Sequence, residues 1–348
     1  MAASPSRFRN PLWVPLLMLS SLFPTSSSSH HHNILLPGEG FLNPTRASSC
    51  PAPDPDLNYR PVIGILSHPG DGASGRLNNG SGVTNIPASY VKFVESAGAR
   101  VVPLIHTQPW EQIQEKLELV NGVLFTGGWA KVGLYFETAQ KIFQIVLDKN
   151  DAGEHFPLFG ICLGFEIISM IVTKDHDICE RFSAADEASS LQFTNAADIQ
   201  GSLFERFPPE LLRKLSTECL AMQNHQFGLS PRRMHENDAL SSFFKILTTT
   251  VDGNDQVYVS TAQAHNYPVT CFQWHPEKNA FEWGSSKIPH SEDAIQVTQN
   301  VANYFIREAR KSSNRPDAQA VRDNLIYNYS PTYGGKAGKG YDEVYIFS

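Results

Sequence analysis

The sequence predicts an α/β protein: a doubly wound, mostly parallel sheet flanked by helices. Three observations carry that prediction. Short runs rich in Val, Ile and Leu recur between 61 and 161, and each is followed by a stretch of helical spacing. Fully apolar strands that alternate with helices belong to a parallel sheet covered on both faces. Glycines stand directly after two of these runs, at 127–128 and 164, where an open parallel sheet carries its reactive groups. The chain has 348 residues, 41% of them hydrophobic and 18% charged, enough to bury one large core.

The first 58 residues stand apart from that pattern. Arg7 and Arg9 precede a short apolar segment at 11–23, and small residues follow. A basic start with so short an apolar run predicts a secretory signal peptide over 1–29 rather than a membrane span. Residues 30–58, rich in Ser, Pro, His and Asn, are expected to be a mobile leader. The His30-His31-His32 tract within it lacks partners that would fix a metal. A single domain over 59–348 follows, with its core at 60–311 and an extension at 312–348.

Within the core, PVIGILS (61–67) predicts a buried strand by its apolar, β-branched content. A Gly/Asn-rich loop at 71–82 leads to a helix at 87–97, with Pro87 in its first turn and Gly98 as its stop. RVVPLIH (100–106) predicts a strand, 109–120 a helix, and GVLFTGG (122–128) a strand that ends in glycines. Residues 134–149 have helical spacing, FPLFGI (156–161) is a strand and 163–172 a helix. From 175 to 250 the pattern loosens. QVYVSTAQ (256–263) and VTCFQWH (269–275) then predict a hairpin turning at HNYP, and 291–311 a last helix. The tail after 312 is polar with aromatic islands and is expected to pack on the outside.

A net charge of −7 without any Lys/Arg-rich run argues against a nucleic-acid partner. No segment after the leader reaches ~18 uninterrupted apolar residues, so no membrane partner is expected once the signal is removed. Asn79-Gly80-Ser81 and Asn328-Tyr329-Ser330 are glycosylation sequons. Five cysteines leave at least one thiol unpaired. Their wide spacing fits neither a disulfide framework nor a zinc site.

The thiol that stands out is Cys162, set in Gly160-Ile161-Cys162-Leu163-Gly164 where a strand meets a helix. A packed thiol needs no such punctuation. A nucleophile does, because a sharp strand-to-helix turn exposes its side chain and small neighbours avoid clashes. The helix N-terminus favours an anion and is expected to lower the thiol's pKa. The Leu163 N–H is a candidate for holding a developing oxyanion. Phe125-Thr126-Gly127-Gly128 ends another strand, where glycines let the backbone approach a substrate, and Gly128 is the candidate for a second N–H. A thiol nucleophile needs a base, and the base an orienter. Trp274-His275-Pro276-Glu277 supplies both: His275 to take the Cys162 proton, Glu277 to hold the other imidazole nitrogen. Alone, His275 would be an ordinary core histidine. Its occurrence with the elbow and the Gly-Gly turn makes it a catalytic candidate. Cys50, Cys179, Cys219 and Cys271 have no such context.

These motifs resemble the class I glutamine amidotransferase-like fold. The stretches ASYVKFVESAGARVVPL (88–104), TGGWAK (126–131), CLGFE (162–166), PVTCFQWHPEKNAFEW (268–283) and the ending YNYSPTYGGK…YIFS are similar to γ-glutamyl hydrolases, in their plant-like branch. The resemblance covers about 60–348. It implies a cysteine-type hydrolase of folylpoly-γ-glutamates with Cys162 as nucleophile, His275 as base and Glu277 as third member. It further implies Gly128 and Leu163 as oxyanion-hole amides, Gly127 against the substrate, no cofactor, and a homodimer in the vacuole or extracellular space. Asn224-His225-Gln226-Phe227 resembles a substrate-site stretch of the family, which makes His225 a candidate for holding substrate, the alternative being a surface-loop histidine. Glu166 is a candidate for the substrate's α-amino group, the alternative being a structural carboxylate. Arg76 and Lys131 are candidate cations for the polyglutamate tail. A Cys⁻/His⁺ pair would suit mildly acidic pH.

One departure from the family pattern is the loop Val83-Thr84-Asn85-Ile86-Pro87, which stands where relatives are expected to carry an aromatic residue before Ile-Ala-Ala; it bears on chain-length preference. Three rivals remain beside this reading. A glutaminase shares the triad but lacks a fused synthase here. A hydrolase of other γ-glutamyl peptides, such as glutathione conjugates, differs only in substrate. A non-catalytic folate binder would have no need of a nucleophile elbow.

Overall fold

The computed structural model describes residues 52–194, 199–334 and 340–348; the signal, the leader up to 51 and Cys50 lie outside them. In chain order the elements are β1 (Val62–Leu66), β2 (His68–Pro69), β3 (Thr84–Pro87), α1 (Ala88–Ser96), β4 (Arg100–Leu104), α2 (Trp110–Leu117), β5 (Val123–Phe125), α3 (Leu134–Asp151), β6 (Leu158–Ile161), α4 (Leu163–Thr173), β7 (Glu180–Ser189) and β8 (Gln192–Phe193). There follow α5 (Pro209–Thr217), β9 (Ala221–Gly228), α6 (Pro231–Glu236), α7 (Asp238–Phe243), β10 (Phe244–Val251), β11 (Val257–Ala264), β12 (Val269–Phe272), α8 (Lys278–Phe281), α9 (Glu292–Arg310), α10 (Ala318–Asn324), β13 (Thr332–Tyr333) and β14 (Glu343–Phe347).

The central sheet runs β4-β1-β5-β6-β12-β11-β10-β8. Its first five strands are parallel, and the last three continue it antiparallel. Alternation along each strand divides the core in two, since successive side chains point to opposite faces. Val62 and Leu66 of β1, with Val123 and Phe125 of β5, pack among α2, α3 and α4. Ile63, Ile65 and Leu124 pack on the other face among α1 and α9. This is the doubly wound architecture expected from the apolar runs.

The helix limits follow local chemistry. Gly98, at φ 88°, ends α1, a conformation that glycine adopts without a Cβ penalty. Its N–H donates to the Glu95 carbonyl at 2.9 Å. Ser291 caps α9 by accepting the Ala294 N–H, as a short hydroxyl does at that position.

Two stretches differ from expectation. The loose region at 175–250 contains a two-stranded antiparallel ribbon, β7 with β9, and the strand β10 that extends the main sheet. The tail does not merely lie outside. Its β14 pairs with β3, joined by β13 and β2 in a second small sheet. Val344 and Phe347 are buried there. The tail is thereby brought to the same end of the molecule as the glycine-rich loop. Among the described residues no helix is long and apolar enough to cross a membrane.

Candidate active site

A cavity of about 410 Å³ opens at the carboxyl ends of the parallel strands, and Cys162, His275, Gly127 and Gly128 all line it. Cys162 lies between β6 and α4 at φ 52°, ψ −104°, a backbone that a residue with a side chain rarely adopts. The turn is held by close approaches. A Cβ on Gly164 would fall 2.5 Å from the Phe125 carbonyl oxygen, and one on Gly160 would fall 2.7 Å from Ile168. Both flanking glycines are therefore required for space. The Cys162 N–H donates to the Phe272 carbonyl at 2.6 Å, tying the elbow to β12, the strand that delivers His275.

His275 is buried. Its Nδ1 lies 2.8 Å from Oε1 of Glu277, a fully buried carboxylate. Its Nε2 has no hydrogen-bond partner among the described residues. A carboxylate on Nδ1 keeps the proton there and leaves Nε2 as the acceptor, which is the arrangement a general base requires.

Burial pushes the Cys162 thiol well up; Glu166 and Glu277 add to it, while Lys278 and the Leu163 N–H oppose. Burial likewise holds His275 below its ordinary 6.5, against the pull of Glu277. Both directions favour a neutral thiol and a neutral imidazole at rest. The direction for the thiol is opposite to the lowering expected from the helix N-terminus. The thiol is only 5% exposed, and desolvation outweighs the helix N-terminus.

The Gly-Gly turn is organised by two residues that the sequence did not single out. The Tyr90 hydroxyl accepts the Gly127 N–H at 2.9 Å, so that amide is occupied. The Gly128 N–H meets no acceptor among the described residues. His68 packs against Gly128 so closely that a Cβ there would fall 2.3 Å from its ring. The His68 Nε2 accepts the N–H groups of Trp129 at 3.0 Å and Ala130 at 3.2 Å. That role needs an unprotonated nitrogen, and burial lowers His68 to about 4.

The glycine-rich loop forms the opposite wall around Asp71, whose carboxylate accepts the N–H groups of Ala73, Gly75, Leu77 and Asn78 at 2.7–3.0 Å. Burial alone would raise this carboxyl, but the four donors hold it at about 2. Asn85 lines the cavity with its amide donating to the His68 and Gly70 carbonyls. From the tail, Tyr341 closes a further side, with Lys278 over its ring at 5.7 Å.

Four of the remaining candidates do not line this cavity. Glu166 is buried behind the elbow, with Oε2 2.6 Å from Lys131 and Oε1 accepting from Gln273 at 3.3 Å. It does not line the cavity, and the same ion pair engages Lys131, which also sits 3.7 Å over the Phe227 ring. His225 is buried with Nδ1 2.9 Å from the Phe227 carbonyl, and burial lowers it to about 3. On β9 it is the neighbouring Asn224 that reaches the cavity, because adjacent strand residues face opposite ways. Arg76 is exposed on the loop. Among the described residues no cluster of three or more metal-ligating side chains occurs, and Cys162, Cys179, Cys219 and Cys271 are free thiols.

Comparison with known proteins agrees with this architecture. The family model "Glutamine amidotransferase class-I" matches residues 77–291. "Gamma-glutamyl hydrolase 2" of Arabidopsis thaliana is 62% identical over 97% of each chain, and "Gamma-glutamyl hydrolase 1" of the same plant is 64% identical over 91% of each. The human "Gamma-glutamyl hydrolase" is 33% identical over 85% of this chain and 92% of its own.

Proposed function

The chain belongs to the γ-glutamyl hydrolase family, within the class I glutamine amidotransferases, and from this we infer that it hydrolyses γ-glutamyl bonds with Cys162 as its nucleophile. The observation that carries this assignment is the union of three features, the first two of which line one cavity. They are a cysteine on a strained elbow, a histidine with a free Nε2, and a buried carboxylate on that histidine's other nitrogen.

The neutral resting pair sets the order of events. As the thiol sulfur bonds to the γ-carbonyl carbon, His275 takes its proton. The carbonyl oxygen becomes an oxyanion, received by the Gly128 and Leu163 N–H groups. Collapse breaks the C–N bond, and the imidazolium gives its proton to the departing α-amine. Water then attacks the thioester with His275 again accepting a proton. The products are a γ-carboxylate and the restored thiol. Glu277 holds the imidazole in place and stabilises its charged form, as the third group of a triad does. No step calls for a metal or an organic cofactor.

Folylpoly-γ-glutamates are the proposed substrates, the class that the sequence resemblance implies. Secretory routing through a signal over 1–29, the leader at 30–58 and one domain over 59–348 belong to the same proposal, as does the vacuole or extracellular space as destination. A homodimer is proposed as well.

The test is turnover of pteroylpentaglutamate at mildly acidic pH by the processed protein and by Cys162→Ala, with products resolved by chain length. Cleavage by the wild type alone supports both function and nucleophile. Equal cleavage by both proteins would remove Cys162 from the mechanism, and no cleavage by either would exclude this substrate.

A further inference from the structure

A second cavity of about 610 Å³ adjoins the first, and Trp129 and Pro69 line both. Trp129 directly follows Gly128, yet its side chain is 71% exposed. Val132 and Leu134, which line the second cavity, are 72% and 54% exposed. Three large apolar side chains within six positions are thus left in water at the mouth of a cavity. Clustered exposure of this kind marks a binding surface rather than chance. The indole is also held in place. Its backbone N–H donates to His68, and the two rings meet edge to face at 5.2 Å, leaving most of the indole open.

A chain of γ-linked glutamates has no use for such a surface, since each unit presents carboxylates and amides. A flat aromatic group does, because planar rings stack on indole with favourable dispersion and quadrupole terms. Resting on the function proposed above, we propose that the second cavity is the subsite for the aromatic end of a pteroylated substrate, with Trp129 as its stacking platform and specificity residue. The aromatic end lies on the acyl side of the scissile amide, the side retained on Cys162. With the ring fixed at Trp129 and the reacting carbonyl fixed at Cys162, the number of glutamyl units between them is fixed. Cleavage is then counted from the aromatic end, and one pteroyl product length predominates.

The experiment compares pteroylpentaglutamate with penta-γ-glutamate lacking the pteroyl group, for wild type, Trp129→Ala and Trp129→Phe. In Trp129→Ala the ratio of kcat/KM for the pteroylated over the bare substrate falls about ten-fold, the size expected from one lost stacking contact. Product lengths scatter, and Trp129→Phe restores most of both effects. Val132→Asp, which places a carboxylate at the same mouth, lowers the ratio in the same direction. Cleavage of both substrates by the wild type with an unchanged ratio in Trp129→Ala would overturn the subsite and leave the hydrolase standing. Loss of activity on both substrates in equal measure would make Trp129 a support of the oxyanion loop and overturn the subsite too. If the wild type cleaves neither substrate, the proposed function falls and the subsite with it.

Discussion

Cys162 and His275 line one cavity, and the burial of both bears on how the thiol would be activated. A preformed ion pair would hold a thiolate throughout the working pH range. Here burial raises the thiol and lowers the imidazole, so in the proposed mechanism the thiolate forms only as it attacks. His275 must be unprotonated to accept that proton. Because its value lies below the ordinary 6.5, kcat/KM holds below pH 6.5 and falls only as pH drops through the lowered value. On the other side, Cys162 should react slowly with iodoacetamide at pH 7, where an ordinary thiol of pKa ~8.5 is already a few per cent ionised. Difference absorbance at 240 nm between wild type and Cys162→Ala should show no thiolate at pH 6–7. A full thiolate signal at pH 6 would restore the ion-pair picture.

At the scale of elements, the site is the meeting of β5, β6 and β12 with two peripheral pieces, and only the former were legible in the sequence. Gly-x-Cys-x-Gly, Gly-Gly and His-Pro-Glu are short, and each is positioned by its own strand, so local pattern and strand order suffice to place them. His68 is silent in sequence because its partner, Gly128, is 60 positions away and pairs with it only after the sheet is built. Tyr90 occupies the Gly127 amide from α1 for the same reason. The tail was misplaced because its aromatic islands carry no periodicity to show that β14 joins β3. Its anchors are specific. The Asp342 N–H donates to Glu282, the Trp283 N–H to Asp342, and Lys92 pairs with Glu343. Deleting 340–348 removes Tyr341 from the cavity wall and the buried Val344 and Phe347 from the fold. At ~1.5–3 kcal/mol for each buried side chain, stability falls by about 3 kcal/mol or more, and kcat/KM falls with it. A urea denaturation midpoint and a folate-cleavage assay read both. A shortened chain that matches the full one in each would make the tail dispensable.

For the whole molecule, the buried histidines set a cost of acidity that the proposed acidic destination makes relevant. Burial holds His68 and His106 at about 4 and His225 at about 3, from an ordinary 6.5. Each is neutral in the fold because burial disfavours its charged form; His68 Nε2 accepts the Trp129 and Ala130 amides, His106 Nδ1 meets Ser67 and Thr84, and His225 Nδ1 meets the Phe227 carbonyl. The unfolded chain takes up protons as pH falls below 6.5, while the folded chain resists until about 4 or lower. Stability from these groups is therefore complete above 6.5 and is withdrawn between there and 4. For His68, which is buried, the full withdrawal is on the order of 3 kcal/mol. Asp71, at about 2 against an ordinary 3.8, adds its own loss only below pH 4, so the histidine window stands clear of it. Calorimetric Tm should be flat at and above pH 6.5 and decline steadily to pH 4. His68→Gln keeps an acceptor for the two amides and removes the proton site, so it should shallow that decline by roughly the His68 share. A Tm that does not change between pH 6.5 and 4, or a slope that His68→Gln leaves intact, would mean that protonated His68 is accommodated beside the Gly128 turn. The Gly127–Gly128 turn would then have to move with pH.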